Sequence, residues 1–334
     1  MSLAALVLFA ALWPKFACAA PTPSTGRFIA NTTIAGTSPA SGHLYVLEHA
    51  YKAVYRFPFG QDGLPTTQPD GVLFLEGAVY PLGLAVDKVG HMFVADPNGW
   101  GGAVAEFASG ATGHQMPISI LNLSQGLPDR LNIDGAERLY VHYNANQDIA
   151  IFAEGAHGND APISIVPPYQ RKYYSIDYLI AKSGSLYVLN QALAVVVYND
   201  PLNSPTQPNR FMLADGGYEG IFDQNLALDE ATNRLYLQFS VTDSRYWNKV
   251  NYGVRPISGT SVATDPLIFT GDCGSAGQST LGGTVIVKKY LIVSCNNSSD
   301  VFVYRTDQFG RQRAPVEVIG QGTLFSPWQI AVGP

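Results

Sequence analysis

An apolar triplet returns six times along this chain of 334 residues: LYV at 44–46, MFV at 92–94, LYV at 139–141, LYV at 186–188, LYL at 235–237 and LIV at 291–293. The spacings are 48, 47, 47, 49 and 56 residues. A period in this range means that one supersecondary unit has been copied, and that no copy buries its apolar face alone.

Each unit reads alike. A first strand such as LGLAVD, DRLNID, QNLALD or TVIVKK precedes a turn with Gly or Asn, and the triplet strand follows. A third strand (AVYRF, AVAEF, IAIF, VVVY, VFVY) and a looser fourth (PISIL, PISIV, VEVI) complete it. Alternation at period two between such turns is the strand signal. Charged residues make up only 14% of the chain, against 18 Tyr and 16 Phe, which also favours strands. Four antiparallel strands per unit predict an all-β fold, a six-bladed β-propeller, in which radial repetition keeps sheet edges short. SPWQIAVGP at the C-terminus looks like a first strand lacking its triplet, whereas the triplet at 44–46 lacks a first strand. The two halves are expected to pair, closing the ring. GRFIANTTIAG at 26–36 resembles a fourth strand without a place in this scheme.

Residues 3–13, LAALVLFAALW, are too few for the roughly 20 that span a bilayer. ACAAP follows with a cleavage pattern, and a cut after Ala19 keeps Pro21 off the new N-terminus. The expected organisation is a signal peptide at 1–19, a lead-in at 20–40 and the propeller at 41–334. The protein is then secreted or periplasmic, and monomeric. Export permits a disulfide between Cys273 and Cys295, which flank one predicted strand; buried thiols are the alternative. No other segment could cross a membrane. The net charge is −6 and basic residues do not cluster, which argues against nucleic acid as a partner.

Antiparallel order places the start of every first strand, and the loop from second to third strand, on one face, here the top. Two columns therefore converge on the channel mouth. The first-strand column holds Asp129, Asp177, Gln224 and Trp328, with Arg130, Tyr178 and Asn225 one position on. Glu48 belongs to the column two residues past each triplet. Asp129, Asp177 and Asn225 offer oxygen ligands of the kind Ca²⁺ or Mg²⁺ prefers, or a carboxyl pair sharing a proton. Otherwise they are simply the wet ends of blades, with Asp129 paired to Arg130 or capping a turn. Trp247, in the long loop SVTDSRYWNKVNYG, joins Trp100, Trp328 and the tyrosines of VPPYQRKYYSIDY as aromatic platforms suited to sugars or peptides. No H-x-H or H-E-x-x-H spacing occurs, and G-x-S-x-G is absent.

The run PLGLAVDKVGHMFVAD, followed by EFASGATGHQMPISIL and repeated as IFAEGAHGNDAPISIV, resembles the NHL-repeat propellers and the wider gluconolactonase-like and TolB-like group over about residues 40–334. That resemblance implies a lactonase, a lyase or a binding propeller. Gluconolactonase-like proteins take one metal ligand from a Glu opening the first blade; here the opening reads SPWQIAV, with Trp328 and Gln329. The first functional expectation is a binding or scaffold module for a saccharide, peptide or protein. The alternative is a metal-dependent hydrolase, lactonase or lyase using Asp129, Asp177 and Asn225.

Overall fold

The structure, a computed structural model, describes residues 42–334 except 125, 170–174, 191–193, 214–224, 233, 239–248, 257–266, 273–280 and 308–311. The chain divides into two units, 1–37 and 38–334, and the first, with the strand expected at 26–36, lies outside the described residues.

The second unit is an all-β propeller. Its described strands form six sheets. Numbered in chain order, they begin at the channel with Pro327–Gly333, Gly83–Val86, Pro128–Ile133, Ser175–Ile180, Leu226–Asp229 and Leu281–Val287. These inner strands touch in a closed cycle, the sixth meeting the first. Every triplet lies on the second strand of its sheet, where period-two alternation gives each residue a different neighbour. Leu44 and Val46 pack on Ile292 and Val303 of the sixth sheet. Tyr45 and Leu47, on the other face of that strand, pack on Leu84 and Val94 of the second. Likewise Leu139 and Val141 close against Ala85 and Ala95, and Tyr140 against Tyr178 and Val188. One strand therefore cements two interfaces, each buried Leu, Tyr or Phe contributing roughly 1.5–3 kcal/mol.

The repeated phrase F-A-x-G-A-x-G has a separate task. Gly113–Gln115 pairs in parallel with the outer strand Gly71–Leu75 of the preceding sheet. One sheet further on, Gly158 bridges Leu121, donating to Ile120 O at 2.8 Å and accepting from Asn122 N at 2.7 Å. Gly158 has φ 57°, a left-handed conformation that glycine adopts without a Cβ penalty. Gln312–Arg313 covers Leu267–Asp272 in the same way. Exposed edges invite pairing with other chains, and here the following unit occupies them.

Closure is antiparallel. His43–Glu48 runs beside Pro327–Gly333 with His43 opposite Gly333 and Val46 opposite Ile330. On the other flank, the pair Gly282–Gly283 lets the sixth inner strand approach the C-terminal strand. A Cβ on Gly283 would lie 2.8 Å from Ile330 N, and one on Gly282 would strike the Trp328 backbone. Ser294 Oγ donates to Trp328 O and accepts from Gly283 N at 2.8 Å, tying the three strands together. The expected pairing of chain ends is thus present.

Candidate functional site

Side chains of the inner strands meet one another across the channel. A cavity of about 70 Å³ is lined by Arg130, Asn132, Asp177, Asn225, Thr284 and Gln329, with Tyr178 beside them. Gln329 reaches from the C-terminal strand across two sheets: its Oε1 accepts from Leu84 N at 2.9 Å, and its Nε2 donates to Leu131 O at 2.8 Å. Arg130 Nη1 donates to Asp177 Oδ1 at 2.9 Å and to Asn225 Oδ1 at 3.4 Å. Asp177 Oδ2 accepts from Leu226 N at 2.7 Å. Four sequence candidates, Arg130, Asp177, Tyr178 and Asn225, therefore share one cavity.

Their arrangement differs from the expected pair of carboxylates. Asp129 bonds neither Asp177 nor Arg130; its Oδ1 lies 2.6 Å from Nδ1 of His142. His142 is buried and its Nε2 has no hydrogen-bond partner. The Tyr178 hydroxyl donates to Tyr140 O at 2.8 Å and lies 3.2 Å from Arg130 O, so it rivets the fourth sheet to the third. Burial pushes that phenol well above its usual range. Four of the six first strands carry one extra residue near the top. The register shifts lie between Val46 and Glu48, His142 and Tyr143, Ser175 and Asp177, and Leu281 and Thr284. Bulges of this kind re-aim side chains.

Burial pushes the Asp177 carboxyl above the usual carboxylate range, against the pull of the Arg130 guanidinium and the Leu226 amide. A raised native pKa means that the folded state binds the proton more tightly. The stability from this group is present below about pH 4 and is lost as pH rises through the native pKa. Arg130→Met removes the compensating charge. It is expected to cost about 3–5 kcal/mol at neutral pH and clearly less near pH 4, in urea melts at the two values. An equal loss at both would contradict the coupling.

Glu48 is fully buried and faces the backbone. Its carboxylate accepts from Ala50 N at 3.0 Å, Phe325 N at 2.9 Å and Ser326 N at 2.7 Å. Asp96, its repeat equivalent, accepts from Val79, Tyr80, Asn98 and Gly99 N at 2.6–2.9 Å. Both acids pin the loop that enters the inner strand of their own sheet. These loops present aromatics that sequence reasoning passed over. Phe325 (61% exposed) packs on Tyr51 (50% exposed) with ring centroids 5.9 Å apart. Tyr80 (46% exposed) stands edge-on to His49 at 4.1 Å, and His49 lies 6.0 Å from Trp328. The available signal was an acid at a strand end followed by a turn bearing a ring, as in EHAY. Trp100 does not join this strip: its Nε1 donates to Glu76 O at 3.0 Å and its ring packs on Phe107.

Gln224, Trp247 and Cys273 lie outside the described residues; Cys295 is fully buried at the end of its strand. Among the described residues no cluster of three or more His, Cys, Asp or Glu side chains could hold a metal ion.

These features define a β-propeller with exposed aromatics on its top face. Neither protein-family models nor curated proteins match the chain. Among solved structures it is similar to a nidogen/laminin complex, with TM-score 0.63 and 10% identity over 87% of this chain and 98% of the other. A putative 6-phosphogluconolactonase from Bacteroides fragilis matches with TM-score 0.55 and 13% identity over 89% and 99%. The WD40 β-propeller domain of Doa1 matches with TM-score 0.52 and 10% identity over 84% and 79%. At such identities the likeness is one of fold, and a fold hosts many functions.

Proposed function

We propose that this chain is an exported, six-bladed, NHL-like propeller that acts as a binding or scaffold module, holding a saccharide, peptide or protein on its top face. The aromatic side chains at the ring closure, with Tyr51, Phe325 and Tyr80 exposed and His49 and Trp328 half-buried among them, carry this reading. Rings offer large contact area at small entropic cost, and here the loops beneath them are pinned by buried carboxylates. The six sheets and their cyclic contacts support the blade count. The acids of this face favour binding over metal-assisted hydrolysis, because Glu48, Asp96 and Asp177 accept backbone donors and Asp177 also pairs with Arg130.

Glycan and peptide arrays are the first test, followed by titration of whatever ligand they retain. Tyr51→Ala and Tyr80→Ala are expected to weaken that ligand about tenfold or more while leaving the melting temperature nearly unchanged. Unaltered affinity in both would contradict the reading. Melting with EDTA or Ca²⁺ separates the alternative: a binding module keeps its midpoint, whereas a metal site formed by Asp129, Asp177 and Asn225 would raise it with Ca²⁺. The leader cut after Ala19 and the Cys273–Cys295 bridge belong to the same proposal, and one intact-mass measurement with and without reduction and alkylation tests both.

A further inference from the structure

On the bottom face, between the second and third sheets, lies a cavity of about 260 Å³ that the top-face reading does not use. Its floor is apolar: Phe93, Ile133 and Leu139, with Ala153 and Ala156 at the side. Its rim carries four carboxylates, Asp87, Glu106, Glu137 and Glu154, against the side chains of Lys88 and His91. The volume is below the roughly 300–1,000 Å³ of drug-sized sites and suits a single long side chain.

The rim charges are unevenly committed. Asp87 is used within its own turn, accepting from Val89 N at 2.9 Å, His91 N at 2.8 Å and, with its other oxygen, meeting His91 Nδ1 at 3.0 Å. Glu137 Oε2 accepts from Lys88 N at 3.2 Å, a stitch between neighbouring sheets that recurs as Lys182 N to Glu230 at 3.1 Å. The remaining contacts are looser. Lys88 Nζ lies 3.9 Å from Glu137 Oε1 and 3.7 Å from Glu154 Oε1, and its side chain is 64% exposed. His91 Nδ1 is 3.5 Å from Glu106 Oε1. These separations exceed the 2.7–3.2 Å of a direct N–H···O bond. The ammonium of Lys88 is therefore a loosely held cation at the mouth of a cavity whose rim attracts one.

We propose that this cavity binds an aliphatic cation, an alkylguanidinium or alkylammonium group, with its methylene stem on the Phe93–Ile133–Leu139 floor and its charged head at the acidic rim. Long cationic side chains combine these two properties, an apolar stem and a charged tip. A guanidinium presents a planar fork of donors to more than one carboxylate, which the single ammonium of Lys88 does not.

The test uses the full mature chain and three probes: agmatine, a short peptide with one central arginine, and the same peptide with citrulline. Binding is read from the methyl signals of Ile133 and Leu139 and from calorimetry. The expected result is saturable binding of agmatine and the arginine peptide, with Kd on the order of 1 mM or tighter and weakening with salt. Citrulline, nearly isosteric but neutral, should not bind. Lys88→Ala should tighten binding several-fold, because it removes the competing ammonium and keeps the backbone N–H that Glu137 holds. Glu106→Gln and Glu154→Gln should weaken it. A peptide tenfold tighter than agmatine identifies a partner chain as the source, and equal affinities identify a free small molecule; either supports the cation chemistry. Unmoved methyl signals with agmatine and arginine peptide in both wild type and Lys88→Ala would overturn it, as would equal binding of the citrulline peptide.

Discussion

A chain ending at residue 324 is expected to lose cooperative folding altogether. The missing segment holds the first sheet's innermost strand, Pro327–Gly333, so its loss strips one side of the ladder from His43–Glu48. It also removes Gln329, whose amide joins the second and third inner strands through Leu84 and Leu131. Gly282 and Gly283 then face a gap instead of the Trp328–Ile330 backbone. Ile330 leaves a cluster that includes Leu44, Val46, Tyr290 and Ile292. A domain of this kind has only about 5–15 kcal/mol of net stability. Burial of several apolar side chains at roughly 1.5–3 kcal/mol each, together with an entire strand ladder, is enough to exhaust it. The truncated chain should show no sigmoidal urea transition and should aggregate through its unpaired edge. A cooperative transition with an unchanged midpoint would mean that the ring does not depend on its last strand.

Glu48→Ala is expected to be among the most damaging single substitutions, costing about 3–5 kcal/mol. The buried carboxylate serves Ala50, Phe325 and Ser326 N–H groups together, and each donor left unsatisfied in a buried site costs about 1–3 kcal/mol. Glu48→Gln should fall in between, since its amide keeps one acceptor oxygen but turns a donor toward the backbone N–H groups. Because the same donors shape the turn bearing Tyr51 and the segment bearing Phe325, ligand binding should fall along with stability. Urea denaturation measures the first effect. A loss below about 1 kcal/mol would show that the loops hold without this anchor.

The ring was legible in the sequence because its cause is periodic. Leu44, Tyr45, Val46 and Leu47 alternate between the sixth and second sheets, so the pattern of strand LYVL is the pattern of the interfaces. The unmatched SPWQIAV was legible for the same reason: a strand with no partner in its own unit needs one elsewhere. The site was read less well, and the bulges explain part of it. One extra residue at Asp129 and another before Asp177 break the strand alternation, so equal positions in the column need not point the same way. Arg130, Asp177, Tyr178 and Asn225 still line one cavity, because one residue of slip leaves these positions at the same end of the strand. What the column could not give was the direction of each carboxylate. Glu48 and Asp96 end strands beside loops whose N–H groups find no strand partner, and a buried carboxylate is the acceptor that satisfies them. His142 meets Asp129, 13 positions away across the bulge, and no spacing motif marks that pair. Tyr51, Tyr80 and Phe325 lie in loops, where no period marks which rings face solvent.

Amide hydrogen exchange of the C-terminal segment tests the closed ring most directly. If the strand Pro327–Gly333 is an integral part of the first sheet, the amides of 328–333 that bond His43–Glu48 should exchange at the same slow, urea-sensitive rate as those of the second strand itself, through global unfolding. Exchange of 328–333 within seconds, as for a frayed terminus, while the amides of His43–Glu48 remain protected, would contradict closure and the shared channel cavity with it.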